Sequence, residues 1–206
     1  MSNRKIGMWM YSNSGGDVIA EKMIKQLADR DIETINNLRL HDCVSHNGHI
    51  LHGDLEVDKL DLFFSYNAGE QTQYQVYLYQ ALNRLIPMIN SYDAFALSED
   101  KFHTSIVLRN KGITTADYKL CHRDNSAALK EIIKKWDKMV YKPTDGWGGL
   151  GLTKIENEAS LDMLMPFLNQ MDLRYFYVEK FIKYDNTDFR VDIVDGEFVS
   201  CYGRKA

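Results

Sequence analysis

The chain has 206 residues, 45% hydrophobic and 26% charged, with 25 basic residues against 29 acidic ones and a net charge of −4. That composition belongs to an ordered globular protein with enough apolar side chain for one large domain or two small ones. The acidic balance argues against a nucleic-acid binder, which carries a basic face. Three widely separated cysteines, Cys43, Cys121 and Cys201, argue against a disulfide scaffold and fit a reducing cytoplasm. No apolar run approaches the ~20 residues of a membrane span, so a membrane partner is not expected.

Residues 5–11, KIGMWMY, predict a buried first strand. The turn SNSGGD follows, then a helix over about 18–30 carrying Val18, Ile19, Met23, Ile24 and Leu27. A β-turn-α start of this kind suits a sheet flanked by helices. Asn47-Gly48 within CVSHNGHILH predicts a two-residue hairpin turn. Residues 60–66 predict a second buried strand, 72–85 a helix and 87–90 a short strand, and a first unit closes near residue 95. Ser98, followed by Glu99 and Asp100, predicts the N-cap of a helix over 99–110 that stops at Gly112. ITTADYKL then predicts a strand, and Ser126 the cap of a helix running to about Trp136. MVYKP and LTKIE predict a strand and its return, 160–170 a helix, and 174–182 a long strand. DFRVDIV and EFVSCYG, joined by Asp195-Gly196, predict a second hairpin. The expected fold class is α/β: a β/α domain over residues 1–95 followed by an α+β domain over 96–206.

The segment 138–152, KMVYKPTDGWGGLGL, concentrates the chemistry. An apolar strand delivers Lys142 and Pro143, and a loop with Gly146, Gly148, Gly149 and Gly151 follows. Glycine accepts positive φ and lets backbone N–H groups approach an anion, so a fixed cation ahead of bare amides suits a polyphosphate. An ordinary glycine-rich hairpin loop fits equally well at this point. Lys101, in the first turn of the helix in SEDK, reads by itself as a solvated helix residue. In YVEKFI the adjacent polar residues Glu179 and Lys180, with Phe181 next, break strand alternation. Such a strand-to-loop hinge either ends a strand or offers backbone groups to an adenine edge. Asp188 and Arg190, two apart, share one strand face, and Arg204 ends the hairpin partner. Two arginines over one pocket suit a carboxylate or a phosphoryl group, and surface charge is the competing reading. His41, His46, His49 and His52 with Cys43 lack the tight paired spacing of a zinc site, so a solvated hairpin is expected and no metal ligand is assigned. Neither a P-loop motif nor G-x-G-x-x-G is present.

In order, INSYDAFALSEDKFHTSIVLRNKGI, MVYKPTDGWGGLGL, YVEKFI and DFRVDIVDGEFVSCYGR resemble the ATP-grasp superfamily. The likeness is to its RimK-type glutamate ligases and glutathione synthetases, and it covers residues 85–206. The first unit matches in style a pre-ATP-grasp, substrate-side domain. The resemblance implies an ATP-dependent carboxylate–amine ligase acting through an acyl phosphate, with ATP and Mg2+ as cofactors. Its substrates would be a carboxylate and an amine, drawn from amino acids or peptides. Lys101 and Lys142 would hold the phosphates under the lid of Gly146, Gly148, Gly149 and Gly151. The backbone at Glu179, Lys180 and Phe181 would hold adenine, with Asp188 near the ribose. Arg190 and Arg204 would steady the transferred phosphoryl group and the acyl phosphate. Family members often place glutamate just before the phenylalanine, where this chain has Lys180 with Glu179 one earlier, so the nucleotide-facing side chain is left open.

The family's magnesium ligands lie on elements after the arginine strand, and this chain stops at Ala206. The expectation is an incomplete ATP-grasp domain with magnesium ligands beyond residue 206 and little ligase turnover by the isolated chain. The alternative is a non-catalytic nucleotide- or partner-binding remnant, and a third reading is an α/β interaction protein without a nucleotide. Residues 65–73, SYNAGEQTQ, are the expected substrate-contact loop, and a homo-oligomer is left open.

Overall fold

The computed structural model describes residues 4–11, 15–66, 72–144, 148–170 and 174–205. Two compact units form, one from residues 1–107 with 144–150, the other from 108–143 with 151–206.

In the first unit β1 (Arg4–Met10) is apolar along its second half because both of its faces are covered, as a parallel strand requires. Met8 and Met10 face α1 (Gly16–Ala28) and pack with Ala20, Met23 and Ile24. Trp9 faces the other way, into a cluster with Leu38, Ile50 and Phe63. Gly7 allows close packing there, since a Cβ would lie 2.8 Å from Leu38 Cδ1. β2 (Ile32–Ile35) pairs in parallel with β1. A separate antiparallel sheet holds β3 (Val44–His46), β4 (His49–His52) and β5 (Leu55–Glu56). Asn47 at φ 48° and Gly48 at φ 89° make the predicted turn between β3 and β4.

β6 (Leu62–Tyr66) lies parallel to β1, α2 (Gln73–Asn83) crosses over, and β7 (Met88–Ile89) completes the order β2-β1-β6-β7. A capping box starts α2: the Thr72 hydroxyl accepts from the Gln75 N–H at 3.4 Å, and Gln75 Oε1 accepts from the Thr72 N–H at 2.7 Å.

The helix expected over 99–110 is present over 101–110, and a second helix that was not expected precedes it. α3 (Tyr92–Glu99) is capped by Ser91, which accepts from the Ala94 N–H at 3.2 Å. Ser98 lies inside α3 and donates to Phe95 O at 2.8 Å, so it caps nothing. α4 (Lys101–Asn110) is capped by Asp100, whose Oδ1 accepts from the His103 N–H at 2.8 Å. The sequence holds two capping residues, Ser91 and Asp100, nine positions apart, and each starts its own helix. α4 ends ahead of Gly112, at φ 75°, as predicted.

In the second unit the strand expected over ITTADYKL shortens to β8 (Tyr118–His122). Arg109 explains why: its guanidinium takes the carbonyls of Thr115 and Ala116, each at 3.1 Å, and Asp117 Oδ1 at 2.9 Å. α5 (Ala127–Trp136) follows Ser126, which is already helical at φ −62° and provides no side-chain cap, contrary to the expectation.

β9 (Met139–Tyr141) and β10 (Thr153–Ile155) form the predicted strand and return. α6 (Glu158–Gln170) and β11 (Tyr175–Lys180) follow. The antiparallel sheet runs β10-β9-β11-β8. One face packs through Cys121, Tyr141, Phe176 and Val178 onto Leu129 and Ile133 of α5 and Leu161 and Leu168 of α6. β12 (Thr187–Val194) and β13 (Glu197–Lys205) form a two-stranded sheet turned at Asp195-Gly196. Among the described residues no helix is long and apolar enough to cross a membrane.

Candidate nucleotide site

Alternation along β11 sends Phe176 and Val178 into the core and leaves Tyr177 and Glu179 on the opposite face. Lys142, next after Tyr141 of β9, falls on that same face, and its N–H donates to Tyr177 O at 3.0 Å. The result is a cluster of three side chains. Lys142 Nζ lies 2.6 Å from Glu179 Oε2, and the Tyr177 hydroxyl donates to Glu179 Oε1 at 2.9 Å. The Lys142 side chain is 27% exposed and that of Glu179 16%, so the pair is screened less than a surface ion pair. Tyr177 is 1% exposed, and its ring centroid lies 5.9 Å from that of Tyr118, the cross-strand partner of Glu179. Lys154 of β10, opposite Val140, adds a second cation to the face and sits 4.8 Å from the Phe181 ring centroid.

Lys180 falls on the other face of β11 from Glu179. Of the two polar neighbours in YVEKFI, Glu179 is therefore the one beside Lys142. The hinge backbone is partly engaged: the Lys180 N–H donates to Asp117 O at 2.7 Å and the Phe181 N–H to Lys138 O at 3.0 Å. Any adenine recognition here falls to other groups of the hinge, its carbonyls first.

Between β9 and β10, Gly148, Gly149 and Gly151 all take positive φ, at 68°, 78° and 76°. A Cβ on Gly151 would lie 2.7 Å from Pro143 Cγ, so this turn needs glycine in two ways. Gly146 lies outside the described residues, as do residues 67–71 of the expected substrate loop. Lys101 opens α4, and its N–H donates to Thr144 O at 2.9 Å.

On the β12–β13 ribbon the register sets Asp188 opposite Arg204 and Arg190 opposite Tyr202, so all four share one face. Arg204 Nε lies 3.1 Å from Asp188 Oδ2, and the guanidinium holds the Asp188 carboxyl below its usual range. Both arginines are solvent-exposed.

In the first unit His46 and His49 are cross-strand neighbours, and His49 Nδ1 lies 3.0 Å from Asp58 Oδ2. Among the described residues no group of three or more His, Cys, Asp or Glu is placed to hold a metal ion. The lysines and positive-φ glycines suit a polyphosphate; the described acidic residues do not by themselves form a magnesium site, so no step is assigned to that ion.

Sequence reasoning did not reach Tyr177, Tyr118 or Lys154. The period-2 alternation of YFYVEK around the buried Phe176 and Val178 was the signal for Tyr177.

Residues 114–206 match the family described as prokaryotic glutathione synthetase, ATP-grasp domain. A tetrahydromethanopterin:alpha-L-glutamate ligase of Methanocaldococcus jannaschii is 29% identical over 153 residues, 72% of this chain and 52% of the relative. Among solved structures, a RimK domain ATP-grasp protein from Sphaerobacter thermophilus superposes at TM-score 0.67 with 15% identity, over 91% of this chain and 68% of that one. The ATP-grasp ligase PsnB, complexed with minimal precursor, Mg and ADP, superposes at TM-score 0.61 with 12% identity, over 98% of this chain and 72% of that one. The chain thus spans about half the length of the curated relative it matches. Residues 114–206 thus match an ATP-grasp domain family, and the fold is similar to that of ATP-grasp structures. The similarities are to a glutathione synthetase ATP-grasp domain, a glutamate ligase and a RimK domain protein.

Proposed function

We propose that the chain binds ATP as part of a RimK-like carboxylate–amine ligase. The carrying observation is the sheet face opposite the α5 and α6 core, on which Lys142 stands beside Glu179 ahead of the positive-φ glycine turn, inside the segment matching an ATP-grasp domain. In this reading Lys142 and Lys101 neutralise the phosphates and the glycine amides cover them. The hinge at Glu179, Lys180 and Phe181 holds adenine, and Asp188 approaches the ribose. A substrate carboxylate oxygen attacks the γ-phosphorus, and ADP leaves with the bonding electrons. The amine nitrogen then attacks the acyl carbon of the resulting acyl phosphate, inorganic phosphate departs, and the amine gives up a proton. Arg190 and Arg204 counter the charge that builds on the transferred group. Such chemistry rests on positioning and charge neutralisation. The acceptor or donor is an amino acid or peptide in a cytoplasmic setting, and glutamate is the first to test because the curated relative is a glutamate ligase.

Thermal shift with MgATP tests the binding. A ligand present at ~100 times its Kd stabilises the native state by about 2.7 kcal/mol. The transition should rise, and Lys142→Met should remove most of the rise. No shift at millimolar ATP would sink the reading. A second reading, nucleotide binding without chemistry, is favoured by the lack of an acidic cluster among the described residues. Phosphate release with panels of amino acids separates the two, since a binding module releases none.

A further inference from the structure

Tyr177 has a buried hydroxyl that no part of the proposed ligase reaction uses. It is 1% exposed, and its hydroxyl donates to Glu179 Oε1 at 2.9 Å while Lys142 Nζ takes Oε2 at 2.6 Å. A tyrosine this deep needs a partner for its O–H, but a backbone carbonyl would serve as well. The partner here is instead a carboxylate whose other oxygen is committed to a lysine 37 residues away in sequence. Both oxygens of Glu179 are therefore held, one from its own strand and one from the neighbouring chain segment. A Glu side chain has three rotatable bonds and a Lys side chain four. Fixing the carboxylate from below confines the lysine head above it.

We infer that Tyr177 is a positioning residue for nucleotide phosphates: it locks Glu179, and Glu179 holds Lys142 at the root of the glycine turn. The inference rests on the proposed ATP binding and deepens it. Before ligand binds, Glu179 neutralises Lys142 and keeps it from swinging to solvent. When a polyphosphate arrives, the ammonium is already within reach of it and exchanges one anion for another. The ordering of a long, mobile side chain then precedes binding and does not weaken it. Tyr118 packs against Tyr177, with the two rings tilted at 44° and their centroids 5.9 Å apart.

The test uses the 206-residue chain and three probes in isothermal titration: ATP, inorganic tripolyphosphate and adenosine. Tyr177→Phe keeps the ring and removes one charge-assisted hydrogen bond, an interaction of the order of a tenfold change in an equilibrium. ATP and tripolyphosphate should both weaken by about tenfold, with adenosine unchanged. Glu179→Gln removes the charge that holds Lys142 in place, and tripolyphosphate should again bind more weakly than to the wild type; undiminished binding would overturn the positioning role. If Tyr177→Phe weakens all three probes equally, or none, the positioning role is overturned while ATP binding stands. If the wild type binds neither ATP nor tripolyphosphate, the ATP reading itself falls and takes this inference with it. Thermal melting of each variant without ligand shows whether loss of fold accounts for a loss of binding.

Discussion

Asp58 shows how one carboxylate organises a small sheet. Its side chain is 5% exposed, Oδ1 accepts from the Ile50 N–H at 2.7 Å, and Oδ2 lies 3.0 Å from His49 Nδ1. Burial works to raise its pKa, but the Ile50 N–H and the His49 ring together outweigh it and hold the carboxyl below its usual range. A native pKa below the unfolded value of ~3.9 means the stabilisation is complete above that pH and is lost as pH falls through the native pKa. Acid melting should therefore show the hairpin of β3 and β4 loosening below about pH 4. Asp58→Ala should cost about 1–3 kcal/mol at neutral pH by orphaning the Ile50 N–H. Hydrogen exchange at Ile50 reports both, and unchanged protection in Asp58→Ala would refute the assignment.

The cysteines make a second residue-scale case. Burial, with the Asp42 carboxylate adding to it, pushes the Cys43 thiol up to about 11, and burial raises Cys121 against the pull of Lys119. Cys201 is exposed on β13. Thiolates, not thiols, react. One thiol should label rapidly with iodoacetamide at pH 8, and mass spectrometry should place it at Cys201. Fast labelling at Cys43 would contradict its burial.

At the scale of elements, the glycine turn and the arginine hairpin behave differently. Gly151 has φ 76° and Pro143 Cγ only 2.7 Å from where a Cβ would be. Gly148 has φ 68° with nothing within 4 Å of that point. Both substitutions to alanine carry the left-handed cost of roughly 1–2 kcal/mol, but Gly151→Ala adds a clash and must move the turn. Gly151→Ala should weaken ATP binding more than Gly148→Ala, a ranking that titration calorimetry can reverse or uphold. The β12–β13 ribbon is paired only with itself among the described residues, and its arginines are set by register. Shifting that register by one residue would send Arg190 and Arg204 to opposite faces. Asp188 opposing Arg204 is one contact that favours the observed pairing.

At the scale of the whole molecule, each unit carries its own apolar core: one around Trp9 and Phe63, the other around Met139, Leu161 and Phe176. Leu161 is fully buried. Leu161→Ala should destabilise the second core by about 2–5 kcal/mol through lost burial and the cavity left behind. Exchange should quicken in β9, β11 and α5, the elements around that core. If the amides of these strands stay protected, Leu161 is not the packing centre that its burial indicates.

The signals legible in sequence were local. Asn47-Gly48 and Asp195-Gly196 specify their turns because only a few residue types accept positive φ without strain. The buried strands around Met8, Phe63 and Phe176 read as apolar runs, and the turn after Lys142 read as glycine-rich within one segment. The cap was placed at Ser98 because Ser98 and Asp100, two residues apart, are both capping residue types, and only Asp100 is used. The strand before Tyr118 was misread because Arg109, in the preceding helix, captures the Thr115 and Ala116 carbonyls. By itself the sequence determined the buried apolar strands, the turns and the lysine–glycine segment, since these follow from backbone preference and side-chain periodicity over a few residues, though it did not determine β2 or α3. Only the tertiary structure decided that Glu179 rather than Lys180 meets Lys142, and that Tyr177 holds it there. Those pairings depend on which strands lie side by side, a property of how the sheet packs and not of any one stretch of chain.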